Sequence, residues 1–239
     1  MITSDKIKAI AAKNQSSELN IRREYVQNIF LSYFYGQQKT TNIYFKGGTA
    51  LRLVYGNPRF SEDLDFSSPS ENIKDIEKII EDTLIEIERE GIKTEIIEAK
   101  KTSGGYLATL GFSLGSEKVT IRIEISFREK NVKEEVITIV NNFIPSYTIL
   151  CLAKEQLINQ KIQALLTRQK PRDFYDFYFI LRAQLLPKIE TKVLKLVSEK
   201  VKNSRISFDK ELNEFLPKSH WNLIKDFKIT LEREIQRFI

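Results

Sequence analysis

Phe45-Lys46-Gly47-Gly48-Thr49-Ala50-Leu51-Arg52-Leu53 and, with fourteen residues between Gly48 and its first aspartate, Asp63-Leu64-Asp65-Phe66 are the stretches on which the reading of this chain turns. The first reads as strand, glycine turn and helix: residues 43–45 are a short apolar strand, Gly47 and Gly48 break it, and Ala50, Leu51 and Leu53 open a helical turn. A glycine pair there lets backbone amides come close to an anion, and a helix N-terminus favours negative charge. The second lies in an extended segment, residues 59–67. Its period of two puts Arg59, Ser61, Asp63 and Asp65 on one face and Phe60, Leu64 and Phe66 largely on the other. Two aspartates on one face repel unless a cation joins them. Magnesium is suited to that, because it takes oxygen ligands and commonly uses one or two carboxylates together with substrate phosphates.

Outward from this stretch the chain reads as two parts. Residues 1–37 carry helical periodicity (Ile21, Tyr25, Ile29, Phe30, Tyr33). Residues 71–90 form an amphipathic helix ended by Gly91, and residues 92–97, 106–114 and 119–127 are strands separated by glycine turns. This half, residues 1–144, is a mixed α/β sheet domain. From Pro145 the pattern turns helical, with helices expected at 147–168, 171–184, 188–202 and 220–237. The turn at residues 141–146 leads us to expect close packing between the two parts.

Charge follows the same division. Residues 1–150 hold 20 Lys plus Arg against 21 Asp plus Glu, whereas residues 151–239 hold 18 against 11. A basic helical part attached to a near-neutral sheet domain suits a polyanion such as RNA, since lysines that replace condensed counterions gain free energy from their release. The alternative is a solvated helical surface. One cysteine (Cys151) excludes an intramolecular disulfide, and a single histidine (His220) leaves too few soft ligands for a structural zinc. Any metal should therefore sit on oxygens. No apolar run approaches the ~20 residues of a membrane span, and MITSDKIKAI is too polar for a signal peptide, so the expected location is the cytoplasm, with no membrane partner.

Further candidates come from alternation and helical spacing. In residues 121–127, Ile121, Ile123, Ile125 and Phe127 face inward, which leaves Glu124 on the other face with Arg122 and Ser126. Glu124 then either pairs with Arg122 or joins the aspartates. On the helix expected at 147–168, Lys154, Lys161 and Arg168 form a stripe amid Leu150, Leu157, Ile158 and Leu165. They either extend out of the core on their stems or meet phosphates. In Lys170-Pro171-Arg172-Asp173-Phe174-Tyr175-Asp176, proline starts a helix that is apolar almost all round, with Asp173 and Asp176 on one face. Buried carboxylates need partners, which Lys161, Arg172 or an active-site ligand could supply.

Together, the Gly-Gly-Thr turn and the Asp-Leu-Asp run resemble the signature of polymerase-β-like nucleotidyltransferases. The form Lys-Gly-Gly-Thr-Ala-Leu with Arg-x-Ser-x-Asp-Leu-Asp-Phe is similar to the AbiEii/AbiGii family of toxin nucleotidyltransferases, closely over residues 40–70 and loosely over 120–180. Lys46 before the glycine pair and the fourteen-residue spacing depart from the superfamily pattern toward that branch. The resemblance implies an α+β fold: a polymerase-β-like mixed sheet with flanking helices, then a basic helical C-terminal domain (145–239). It implies a magnesium-dependent enzyme in which Gly47, Gly48 and Thr49, Arg59 or Ser61, and Lys154 hold a nucleoside triphosphate. Asp63, Asp65 and Glu124 take Mg2+, and Lys161 neutralises phosphates. One aspartate of Arg172-Asp173-x-x-Asp176, with Asp173 preferred, would orient or deprotonate the acceptor. The implied acceptor is RNA, at a tRNA 3′ end, and the implied partner is a cognate antitoxin. Transfer to a small molecule or a protein side chain, and a catalytically silent nucleic-acid- or antitoxin-binding module, are the competing functions. The repulsion among the retained carboxylates speaks against the silent module.

Overall fold

The computed structural model describes residues 2–185 and 189–239. The chain divides into two compact units: residues 1–56 with 60–153, and residues 57–59 with 154–239.

The first unit is built on seven strands: β1 (Tyr44–Lys46), β2 (Leu64–Ser67), β3 (Lys93–Thr102), β4 (Gly105–Leu114), β5 (Glu117–Ser126), β6 (Glu134–Ile139) and β7 (Tyr147–Leu152). Their order is β3-β4-β5-β2-β1-β7-β6, with β2 parallel to β5 and antiparallel to β1. The α-helices described in this unit are α1 (Ser4–Lys13), α2 (Glu18–Tyr35), α3 (Gly47–Tyr55) and α4 (Ile73–Arg89), with a short 3-10 helix at Gln38–Asn42. Alternation decides which face they cover. Phe45, Phe66, Ile123 and Ile125 are buried on one face, and the Phe66 ring packs 5.2 Å from Phe34 of α2 and 5.5 Å from Phe45, centroid to centroid. Lys46, Asp65 and Glu124 point the other way because each neighbours one of these apolar residues in its strand. The face away from the core therefore carries the charges.

The second unit is helical: α5 (Lys154–Thr167), α6 (Pro171–Arg182), α7 (Thr191–Asn203), α8 (Asp209–Phe215), α9 (Trp221–Lys225) and α10 (Phe227–Gln236). Phe174, Tyr175 and Phe177 of α6 are buried, with Phe174 edge-on to Phe208 and Tyr175 stacked 5.9 Å from Phe227. This satisfies the all-round apolar character of α6.

The structure departs from the sequence expectations in several places. Residues 147–152 are a strand: Tyr147, Ile149 and Cys151 are buried and Thr148 is exposed, a period of two, and Cys151 pairs with Phe45. The helix expected from 147 starts at Lys154, just after the first compact unit ends at Ala153. Strand β6 was not anticipated, because its Glu134-Glu135-Val136 start reads as a loop until β7 is there to pair with it. Of the extended segment 59–67 only residues 64–67 join the ladder. The helix expected at 220–237 is interrupted at Asp226 (φ −114°, ψ 30°), and α8 precedes it unforeseen. The helix expected at 188–202 is described from Thr191; residue 188 itself lies outside the described residues.

Candidate functional site

Register builds the charged row. Lys46 stands opposite Asp65, and Asp65 stands opposite Glu124, so three charged side chains from β1, β2 and β5 share one face. Gly47 begins α3 at φ +84°, a left-handed conformation that favours glycine. A Cβ at that position would overlap the Asp65 carboxylate and come within 2.7 Å of its Cγ. The glycine is therefore required twice, by its backbone and by how closely the turn lies against Asp65. Lys46, at the N-cap of α3, makes no side-chain capping bond, so the first-turn amides are not satisfied in that way. Thr49 is fully buried and donates its hydroxyl to the Asp63 carbonyl at 2.5 Å, tying the α3 start to the Asp-Leu-Asp run.

The segment before β2 is fixed by α2. Gln27, 1% exposed, donates its amide to the carbonyls of Ser61 and Glu62 at 2.9 and 3.0 Å. Arg52 of α3 pairs with Glu24 and lies 3.4 Å above the Phe60 ring centroid. Sequence reasoning passed over Gln27; its signal was a polar residue in the apolar run Tyr25-Val26-Gln27-Asn28-Ile29. Arg122 pairs with Glu124, and its Nε lies 3.9 Å from Asp63 Oδ1, so the guanidinium bridges two of the expected metal carboxylates.

Metal fit follows from these placements. Among the described residues no three Asp, Glu, His or Cys side chains are grouped so as to hold an ion by themselves. The donor set still suits magnesium: Asp65 and Glu124 face each other in register, Asp63 is held at the same end, and all donors are carboxylate oxygens, with substrate phosphates normally completing such a shell.

A cavity of about 300 Å³ opens on this face, lined by Lys46, Asp65, Glu124, Ser126, Arg128 and Glu129 among others. Glu129 accepts from Lys46 at 2.8 Å and from Ser126 at 2.7 Å. Burial pushes its carboxyl up, but the Lys46 and Ser126 hydrogen bonds and the Lys46 charge outweigh burial and hold it below its ordinary range.

The second unit has its own ionic cluster. Asp176 is fully buried and accepts from Arg59 Nε (2.8 Å) and Nη2 (3.0 Å), Lys161 Nζ (2.9 Å) and Asn57 Nδ2 (2.9 Å). Burial alone would raise its pKa, yet the charges and hydrogen bonds of Arg59 and Lys161 keep it well below the usual carboxylate range. Arg59 is thus 3% exposed and turned to Asp176, off the face it was expected to share with Asp63. The anion found beside Lys161 is this carboxylate. Asp173, also fully buried, is held by Arg168 (2.6 and 2.9 Å) and accepts the Lys170 amide at 3.0 Å, capping α6. Arg172 lies 3.5 Å from Glu211, and Lys154 opens α5 half-buried.

A polymerase-β-like mixed sheet with paired carboxylates beside a glycine turn defines the class of protein: a nucleotidyltransferase fold. The family model described as nucleotidyl transferase AbiEii toxin, type IV TA system, matches residues 29–237, and the chain belongs to that family. Two crystal structures from Helicobacter pylori share the fold. One, described as a candidate nucleotidyltransferase, is 20% identical with a TM-score of 0.64 and covers 93% of this chain and 95% of its own. The other, JHP933, is 21% identical with a TM-score of 0.63 and covers 93% of each. No curated protein matches the chain. Among the described residues no helix is long and apolar enough to cross a membrane.

Proposed function

We propose that this chain transfers a nucleoside monophosphate from an NTP to the 3′ end of an RNA, as the toxin of a toxin–antitoxin pair inside the cytoplasm. The observation that carries the reading is the Gly47–Asp65 approach: a turn that cannot bear a side chain lies against a carboxylate that is itself in register with Glu124. Backbone amides at the start of α3, with Gly48 and Thr49, take the phosphates, since the helix end carries positive potential and offers N–H groups. To Ser61, whose carbonyl is held by Gln27, we assign a hydroxyl contact with the same phosphates. Asp63, Asp65 and Glu124 are the residues that would hold Mg2+, whose chemistry is to neutralise phosphate charge and to lower the pKa of the attacking hydroxyl. The acceptor oxygen bonds to the α-phosphorus in line, the bond to the bridging oxygen of pyrophosphate breaks, and the hydroxyl proton is taken up by carboxylate or solvent. Holding both reactants in that line is the main task of the protein.

For the buried cluster we favour a positioning role. Asp176 clamps Asn57 and Arg59, which precede Asp63 by a few residues in the chain. Asp173 secures the α6 start. The RNA acceptor rests on the charge partition: Lys192, Lys195 and Lys202 are exposed on α7. Incubation with each labelled NTP, Mg2+ and total RNA tests the proposal. Label in RNA that disappears with Asp65→Asn supports it, and label entering only protein or a small molecule refutes the RNA acceptor.

A further inference from the structure

The cavity described above extends beyond the carboxylates to a cation that the reaction scheme has not used. Arg128 follows the C-terminal end of β5 by two residues and lines the cavity with Asp65 and Glu124. Its guanidinium lies on Gly104: a Cβ there would overlap Nε and come within 3.0 Å of Cζ. Glycine at 104 is thus the seat on which the guanidinium rests. The neighbouring cation, Lys46, is already neutralised by Glu129 at 2.8 Å, whereas no carboxylate among the described residues lies within ion-pair distance of Arg128. A planar guanidinium without an ion-pair partner, facing a cavity, is suited to gripping a phosphate through two parallel N–H bonds.

Strand directions say which phosphate. Strand β1 runs antiparallel to β2, and β2 parallel to β5, so Gly47 leaves the sheet at the end where β2 begins, while Arg128 leaves at the end where β5 finishes. In strand order, too, β1 and β5 lie on opposite sides of β2. The Asp65–Glu124 row therefore stands between the α3 N-terminus and Arg128. In-line displacement puts the leaving pyrophosphate and the attacking oxygen on opposite sides of the α-phosphorus. With the triphosphate at α3, a cation across the carboxylates faces the nucleophile.

We propose that Arg128 binds the phosphodiester adjoining the attacking hydroxyl, so that the acceptor is a polynucleotide 3′ end and not a phosphate-free small molecule. The inference rests on the nucleotidyl-transfer reading above. The cavity, at the low end of the roughly 300–1,000 Å³ of ordinary ligand sites, matches one terminal unit of a chain better than a folded partner.

The test uses the full chain and single-stranded oligoribonucleotides with a free 3′ hydroxyl, whose last linkage is either a phosphodiester or an uncharged methylphosphonate. Equilibrium binding and transfer are both measured. Wild type should bind the methylphosphonate oligomer at least about tenfold more weakly, the scale of one charge-assisted contact. Arg128→Met should bind both oligomers alike, raise the acceptor KM about tenfold or more and reduce the salt slope of binding by about 0.7, while its affinity for Mg·NTP stays at the wild-type value. Gly104→Ala, which displaces the guanidinium without removing it, should behave in the same direction and guards against a misfolded Arg128 variant. Wild type that does not distinguish the two oligomers, or an Arg128→Met variant that loses NTP affinity and keeps acceptor KM, overturns the inference. Wild type that transfers no label to any oligomer sinks the functional reading itself, and the binding comparison still decides whether Arg128 meets a phosphate.

Discussion

Replacing Asp176 with asparagine keeps the shape of the side chain and removes one charge from the most deeply buried ionic cluster among the described residues. Asp176 is 0% exposed and receives three hydrogen bonds from two cations, Arg59 and Lys161, which are themselves 3% and 8% exposed. The variant would leave both cations buried beside a neutral amide. Breaking a buried pair by removing one partner costs about 3–5 kcal/mol, much of it the desolvation of the charge left behind. That is a large part of the roughly 5–15 kcal/mol by which a typical domain is stable. At about 2–8 °C per kcal/mol, depending on the size of the cooperative unit, melting at pH 7 should fall by at least about 6 °C. Removing a stranded cation should recover part of the loss, so Asp176→Asn with Lys161→Met should melt above Asp176→Asn alone. The pH dependence has a definite sign. Because the folded-state pKa of Asp176 is depressed, its stabilisation is complete above the unfolded value of about 3.9 and is lost as pH falls below it. The gap between wild type and variant should therefore narrow from pH 5 toward pH 3, as followed by circular dichroism melts. A variant that melts within a degree or two of wild type at pH 7, or a gap that widens in acid, would refute the structural account of Asp176.

Other expectations concern the cleft and the basic helices. Asp65→Asn should stay folded and lose transfer by orders of magnitude in a labelled-NTP assay; near wild-type transfer from a folded variant removes Asp65 from the metal site. Gly47→Ala forces a Cβ against the Asp65 carboxylate and strains a left-handed backbone, so it should cost about 1–3 kcal/mol and lower NTP affinity as well, read by melting and calorimetry; unchanged NTP binding would mean that the turn does not serve the phosphates. Lys161→Met separates the two readings of that lysine: a lower melting temperature with NTP affinity intact marks the ion pair, and weakened NTP binding in a stable variant marks a phosphate contact. Neutralising Lys192, Lys195 and Lys202 together should flatten the salt dependence of RNA binding by about 0.7–0.9 per lost contact without affecting NTP affinity; an unchanged slope would leave them as solvated surface.

What the sequence determined was local. The glycine pair, the Asp-x-Asp alternation and the isoleucine alternation of β5 are set by residues within one or two turns or pleats of each other. They gave the mixed sheet, the glycine turn at α3 and the charged face on which Asp65 and Glu124 lie. The tertiary structure decided everything that depends on a partner far along the chain. β6 and β7 are strands because each supplies the other's ladder, so Tyr147–Leu152, which reads as the start of a helix in isolation, pairs with β1 and β6. Arg59 shares the extended parity of Asp63, yet its guanidinium turns to Asp176, 117 residues away, because a buried carboxylate without a cation would cost more than any gain from staying on the strand face. Asp173 and Asp176, alike in the sequence, have different partners in the structure: Asp173 caps a helix and binds Arg168, and Asp176 is the centre of a cation cluster. Arg128 was invisible for the same reason: its place over Gly104 follows from the hairpin joining β3 to β4 and from the end of β5, and spacing along one strand cannot show which residues two chain ends bring together.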